Sequence, residues 1–145
     1  MLTTQQRMLP AQCAAYTGNL CIAADPNPSA LHGPRFHDFD LACVGLGFHH
    51  FSDPDLAASR LVQRLRPGGV LFIVDFLQHE SFSGNHPAME TVTHHGFSKD
   101  RVKAMFEQAG AGNKFALRST TIEMDHGDGT VPVPRTIFFA RGQKL

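Results

Sequence analysis

The sequence has no tryptophan, one tyrosine and only three cysteines among 145 residues. Cys13, Cys21 and Cys43 are odd in number and lack the paired spacing of zinc ligands, which argues against a disulfide framework and against a metal site. We therefore expect reduced cysteines, as in a cytoplasmic protein, and no bound metal.

The chain also lacks an excess of charge and a long apolar run. Basic and acidic residues number 13 each, so the formal net charge is zero and no basic surface for nucleic acid or lipid is expected. The longest apolar run, Val70–Leu77, contains Asp75 and is too short to span a bilayer. Met1–Gln6 is polar, unlike the start of a secretory signal. The expected partners thus include neither nucleic acid nor membrane.

What the sequence does contain is the pattern of an α/β protein. Phe39–Leu46 and Val70–Leu77 are continuous apolar runs of strand length, typical of strands buried on both faces. Between them, Ser52-Asp53-Pro54 begins a helix with apolar residues at helical spacing, and Pro67-Gly68-Gly69 ends it. A strand–helix–strand unit of this length predicts a parallel pair with a right-handed crossover.

The C-terminal part predicts one more helix and a hairpin. Ser98 begins a helix over Lys99–Ala109, and Gly110 ends it. Phe115–Met124 and Thr136–Arg141 flank a turn rich in glycine and proline, which predicts an antiparallel pair.

The N-terminal part predicts a strand over Gln12–Leu20 and a loop over Asp25–Pro34. A polar segment, Gln78–His95, is predicted as a loop or lid. No linker or repeat interrupts the chain. We expect a single domain over residues 1–145, with an N-terminal strand and loop in 1–38 and the core in 39–145.

Several stretches, in order and at matching intervals, resemble class I S-adenosylmethionine-dependent methyltransferases. Phe39–Asp53 resembles their fourth strand and the loop after it, and Leu65–Asp75 resembles their helix–turn–fifth-strand signature. His95-Gly96-Phe97-Ser98 resembles the segment before their sixth strand, and Arg135–Arg141 resembles their last strand. The resemblance runs from about Ala14 to the end and is closest to small-molecule methyltransferase-like proteins of filamentous fungi. It implies a truncated Rossmann-like fold, with a mixed sheet, a parallel βαβ core and a C-terminal antiparallel hairpin.

The resemblance does not extend to the residues that hold the methyl donor in that family. The Gly-rich loop after a first strand and the acidic residue that binds the ribose have no match here. The positions that do match cofactor contacts are Asn19, Leu20, Leu46 and Gly47. We therefore expect no cofactor. The alternative is that S-adenosylmethionine binds at these four positions, in a site completed by a dimer or a partner.

Two histidine doublets are the candidate acid–base groups. His49 and His50 follow the fourth-strand match, at the edge where open α/β sheets bind ligands, and Asp75 ends the next strand. His94 and His95 precede the second helix. Histidines titrate near neutral pH and serve as acids or bases. The alternatives are that the histidines pack and cap turns, and that Asp75 accepts backbone hydrogen bonds from a loop.

Five phenylalanines are candidates for an apolar substrate pocket, with ordinary core packing as the alternative. They are Phe48, Phe51, Phe76, Phe82 and Phe97. Together with the histidines they favour isomerisation, cyclisation or dehydration of a hydrophobic small molecule, in the fungal secondary metabolism that the resemblance implies. Methyl transfer and a non-catalytic partner role are the other candidates.

The apolar strand Phe39–Leu46 is expected to form an edge of the sheet, because the strands that flank it in the family have no match. A long apolar edge promotes association. We expect it to be covered by Gln12–Leu20 or by a second copy of the chain in a two-fold homodimer.

Overall fold

The computed structural model describes residues 14–78, 92–124 and 131–145. Four strands form one sheet of order β1-β2-β4-β3, with β1 and β2 parallel and the other pairs antiparallel. This confirms the predicted mixed α/β architecture with a βαβ core and a C-terminal hairpin. No helix among the described residues is both long and apolar enough to cross a membrane. In chain order the elements are β1 (Phe39–Gly45), α1 (Pro54–Gln63), β2 (Leu65–Phe76), α2 (Lys99–Gln108), β3 (Asn113–Met124) and β4 (Val133–Gln143).

Local signals set the start of both helices. The Asp53 side chain accepts a hydrogen bond from Leu56 N–H at 2.9 Å, and Pro54 is the first residue of α1. The Ser98 hydroxyl likewise accepts from Arg101 N–H at 3.1 Å at the start of α2. These caps are the ones that the sequence predicts.

The Pro67-Gly68-Gly69 segment lies inside β2 and does not form a free turn between α1 and β2. Gly68 N–H donates to the Lys144 carbonyl at 2.9 Å, and the Gly69 carbonyl accepts from Lys144 N–H at 2.9 Å. Gly68 has a φ of 76°, a left-handed conformation that favours glycine. The segment therefore continues β2 as an irregular stretch paired with the C-terminus.

Helices α1 and α2 contact each other and cover one face of the sheet, where the core lies. Val102, Met105 and Phe106 line the inner face of α2 and are 0%, 1% and 0% exposed, as the helical spacing predicts. The central strands contribute four further large buried side chains: Leu65, Leu71, Ile73 and Phe138.

Strand β1 is an edge strand, and the prediction that it is buried on both faces is wrong. Phe39 and Leu41 are 40% and 55% exposed, and Cys43 is also exposed, whereas Ala42 and Val44 pack partly against the core. The physical reason is topological. Among the described residues β1 pairs only with β2, so only its helix-covered face and one of its edges have neighbours.

The predicted strand over Gln12–Leu20 is wrong in its described part, because residues 14–20 are not extended in any sheet. The following segment is held instead by Arg60 of α1, which is only 4% exposed. The Arg60 guanidinium donates hydrogen bonds to backbone carbonyls of this segment. In a strand these carbonyls would pair with a neighbouring strand. The distances are 3.0, 2.6, 3.2 and 3.0 Å to the oxygens of Leu20, Ile22, Ala23 and Asp25.

Candidate functional site

A short helical turn, Phe48–His50, follows β1 at the carboxyl edge of the sheet. Leu46, two residues before this turn, has a positive φ of 50° and donates its N–H to the Val74 carbonyl at 2.8 Å. The Phe48 side chain is fully buried and anchors the turn in the core. This local fold carries the first histidine doublet to the end of the neighbouring strand β2, where Asp75 lies.

His49 and Asp75 form a buried hydrogen-bonded pair. Their side chains meet at 2.7 Å between Nδ1 and Oδ1, and the two residues are 7% and 0% exposed. The Asp75 carboxylate also accepts from the backbone N–H groups of His49 at 3.0 Å and Phe76 at 2.7 Å. Asp75 therefore accepts backbone hydrogen bonds, the alternative considered from the sequence, and it also binds a histidine ring.

The geometry fixes the chemistry that each ring nitrogen of His49 can perform. A carboxylate only accepts hydrogen bonds, so Nδ1 is the donor in its contact with Asp75. In a neutral imidazole this leaves Nε2 as the acceptor. No hydrogen bond joins Nε2 to a residue in the described part of the chain. The pair can therefore accept a proton at Nε2 and return it, while Asp75 balances the charge of the imidazolium.

Aromatic rings surround the pair. Phe76 stacks edge-on against His49 with 5.2 Å between ring centroids, and His50 lies 4.1 Å from His49 by the same measure. Phe51 and Phe76 are half-buried. These two remain candidates for an apolar substrate pocket.

Two of the other candidate pocket residues belong to the core. Phe48 and Phe97 are 0% and 4% exposed and their rings lie 6.1 Å apart within the main buried cluster. They therefore pack in the core next to the site and do not line an accessible surface. The last candidate, Phe82, lies outside the described residues.

The second histidine doublet joins the first through the backbone. His94 N–H donates to the His49 carbonyl at 3.0 Å. The His94 ring packs against Phe97 at 5.7 Å, and its Nε2 is buried with no hydrogen-bond partner in the part of the chain that the structure describes. His95 is exposed. The two doublets thus lie next to each other, but no described side-chain contact places His94 or His95 on the His49–Asp75 pair.

An ion pair between helices α1 and α2 lies near the second doublet. Arg101 Nη1 donates to Asp55 Oδ1 at 2.7 Å, and Nη2 donates to the other carboxylate oxygen. Hydrogen bonding by Arg101, together with the charge of its guanidinium, holds the pKa of Asp55 below its usual value. The same contact raises the pKa of Arg101. Asp55 is therefore already paired and does not hydrogen-bond His94.

The four positions that match cofactor contacts are divided between two places. Asn19 and Leu20 line an apolar cavity of about 190 Å³, and the Asn19 side-chain oxygen is occupied by Cys21 N–H at 2.8 Å. Leu46 and Gly47 lie at the end of β1 and are not part of the cavity lining. The other lining residues are Gly18, Cys21, Leu31, Val44, Phe51 and Leu61.

The four matching positions therefore do not converge on one cavity in the described part of the chain. Sites for small molecules of the size of S-adenosylmethionine usually enclose roughly 300–1,000 Å³ and offer several convergent polar groups. Here the cavity is smaller and the only amide that faces it is already bonded. Within the same residues, no group of three or more histidine, cysteine or acidic side chains could hold a metal ion.

Two arginines and one threonine have structural roles that the sequence analysis did not identify. Arg60 and Arg64 are 4% and 6% exposed, although cations near the end of a helix are usually solvated. Burial, and then the charge of Arg60, lowers the pKa of Arg64. The signal for both was their spacing of four residues on one face of α1. Thr93 gave no sequence signal, although its hydroxyl donates to the His49 carbonyl.

Comparison with known proteins shows the same fold. No family model matches the chain. An uncharacterised methyltransferase of Schizosaccharomyces pombe is 32% identical over 86 residues, which is 55% of this chain and 30% of that protein. The chain thus spans less than a third of this curated relative.

Several solved structures have a fold similar to that of this chain. A putative methyltransferase from Bacillus halodurans has a TM-score of 0.54 at 18% identity, covering 77% of this chain and 68% of that one. A S-adenosylmethionine-dependent methyltransferase from Thermotoga maritima, described as a possible histamine N-methyltransferase, has a TM-score of 0.51 at 18% identity. It is matched over 75% of this chain and 57% of its own. These likenesses concern the fold.

Proposed function

We propose that this chain, which has the C-terminal portion of the class I S-adenosylmethionine-dependent methyltransferase fold, carries an acid–base centre for a hydrophobic small molecule. The observation that carries the proposal is the buried contact between His49 Nδ1 and Asp75 Oδ1. His49 accepts or donates the proton at Nε2, and Asp75 keeps the ring in the productive tautomer.

Burial of the carboxylate is what makes the pair functional in this proposal. A buried aspartate is costly unless its oxygens are satisfied, and here three N–H groups satisfy them. The same contacts prevent the imidazole from rotating, so Nε2 keeps a constant direction. Phe76 beside the pair provides apolar surface for the substrate.

The reaction that we favour is proton transfer without a cofactor: isomerisation, cyclisation or dehydration, as in fungal secondary metabolism. It needs only groups that this chain supplies. The second candidate is methyl transfer, in which His49 would take the proton from the accepting oxygen or nitrogen. The methyltransferase neighbours favour it, and it requires that further polypeptide complete the cofactor site.

One experiment separates the two reactions. The protein is incubated with a panel of hydrophobic hydroxylated and amino compounds, with and without S-adenosylmethionine, and the products are analysed by mass spectrometry and chromatography. An isomer or a dehydrated product without the cofactor supports the first candidate. A product heavier by one methylene, together with calorimetric binding of S-adenosylmethionine, supports the second.

A pair of variants tests the acid–base centre in either case. His49→Gln is expected to lower turnover by about 100-fold or more, the usual contribution of a general acid or base. His37→Gln is the matched control, because His37 is exposed at the opposite end of β1. Equal turnover by both variants would remove the proposal.

We propose a second copy of the chain as the partner for β1. Antiparallel pairing about Cys43 would place Asp40 opposite Leu46 of the second copy and would bring no like charges together. In such a pair the two Cys43 side chains are about 4.5–5.5 Å apart at Cβ. The prediction is a dimer in light scattering that a short bismaleimide links, with the link lost in Cys43→Ser and kept in Cys21→Ser. A monomer at tens of micromolar, or a link that survives Cys43→Ser, would contradict it.

A further inference from the structure

We propose that Thr93 is the positioning residue of the His49–Asp75 pair, a role that rests on the acid–base function proposed for His49. Its hydroxyl lies 2.9 Å from the His49 carbonyl and 2.8 Å from the Phe51 carbonyl. The single hydroxyl proton is therefore shared by two carbonyls of the turn that carries His49.

The main chain of His49 is held from both sides. On the carbonyl side it accepts from Thr93 N–H at 3.1 Å, from His94 N–H at 3.0 Å and from the Thr93 hydroxyl. On the amide side its N–H donates to Asp75. A ring attached to a backbone fixed in this way has little freedom to leave the carboxylate.

The turn needs this support because its own hydrogen bonds are few. Within the turn, His50 N–H donates to the Gly47 carbonyl at 3.2 Å and Phe51 N–H donates to the Phe48 carbonyl at 3.1 Å. Short helical turns of this kind have poor hydrogen-bond geometry and are easily distorted. The Thr93 hydroxyl links the His49 carbonyl, in the middle of the turn, to the Phe51 carbonyl, just after its end.

The segment that carries Thr93 is tied through Phe97 to β2, the strand that carries Asp75. Phe97 N–H donates to the Phe76 carbonyl at 3.0 Å, and the Phe97 carbonyl accepts from Gln78 N–H at 3.1 Å. The Phe97 side chain is buried, which fixes this bridge to the core. Three residues lie between Thr93 and Phe97, so the chain and these hydrogen bonds together connect β2 with the turn that carries His49. Thr93 thus transmits the position of β2 to the turn after β1.

The test is the tautomer of His49, read by nitrogen–proton correlation spectra of uniformly labelled protein and assigned with His49→Gln. Thr93→Val keeps the shape and the backbone N–H but removes the hydroxyl. It is expected to lower the ratio of the Nδ1–H to the Nε2–H tautomer about threefold to tenfold, the effect of losing one hydrogen bond. Thr93→Ser is expected to restore the ratio.

The control is Thr121→Val, which removes a hydroxyl contact with Thr136 on the exposed hairpin. It is expected to leave the His49 tautomer unchanged. A purely structural role for Thr93 would lower the urea midpoint while the tautomer ratio stays constant, and that result would overturn the inference. If the unchanged protein already holds His49 as the Nε2–H tautomer, the proposed acid–base function fails instead.

Discussion

The two histidine doublets have the same sequence and different surroundings. His49 hydrogen-bonds a buried carboxylate, whereas His94 has a buried Nε2 without a partner among the described residues. The carboxylate near His94, Asp55, is bound by Arg101. The difference shows that a histidine doublet becomes a candidate acid–base centre through the group its ring contacts, and not through its place after a strand or before a helix.

Removing the Asp75 carboxylate is expected to have the largest effect on this difference between the doublets. Asp75→Ala leaves two backbone N–H groups and the His49 ring without an acceptor. We expect a loss of about 3 kcal/mol in the free energy of unfolding, since each unsatisfied buried donor costs roughly 1–3 kcal/mol. Asp75→Asn keeps one acceptor oxygen and should cost about half as much. Urea unfolding measures both.

The control for this prediction is Glu123→Ala, because Glu123 is exposed on β3, away from the β1 edge. A surface change of this kind is expected to alter the free energy of unfolding by less than about 1 kcal/mol. Equal losses for the Glu123 and Asp75 variants would show that the buried carboxylate has no special role.

A matched pair of substitutions compares the doublets directly. His49→Phe removes the ring donor to buried Asp75 and is expected to cost about 2 kcal/mol. His94→Phe removes a buried nitrogen that has no partner in the described chain, and should be neutral or stabilising by up to about 1 kcal/mol. Thermal and urea unfolding give both values. Similar destabilisation by both variants would contradict the contrast.

The smallest effect concerns the ion pair beside the second doublet. Because Arg101 lowers the pKa of Asp55 in the folded state, this pair stabilises the protein above the unfolded-state value near 4. The stability is lost as the pH falls below about 4, through the lower folded-state pKa. The side chains are about 40% exposed, so the effect should be under about 1 kcal/mol. Arg101→Met should remove this decrease in the free energy of unfolding below pH 4. The same decrease in Arg101→Met as in the unchanged protein would contradict the prediction.

The fold was predictable where local signals agreed with the tertiary arrangement. The Asp53 and Ser98 caps, the buried face of α2 and the strand–helix–strand unit all follow from neighbours in sequence. The position of strand β1 was predicted correctly, but the exposure of one of its faces was not. Apolar composition reports the environment a strand favours, whereas its exposure depends on which strands lie beside it.

The candidate site was predictable as a location and not as a set of contacts. The carboxyl ends of two adjacent parallel strands brought His49 and Asp75 to one edge, as the topology requires. Which histidine binds the carboxylate depends on the Phe48–His50 turn, and the support from Thr93 comes from 44 residues further along the chain. Residues 14–20, which were expected to be extended, form no strand, and the Leu20 carbonyl at their end accepts from Arg60 of α1, a contact that no local signal predicts.

The most direct test of the His49–Asp75 centre is the imidazole proton itself, observed by proton NMR of nitrogen-labelled protein in water. We expect an exchange-protected proton on His49 Nδ1 that disappears in Asp75→Ala. A protected proton on Nε2, or a Nδ1 signal that persists in Asp75→Ala, would contradict it.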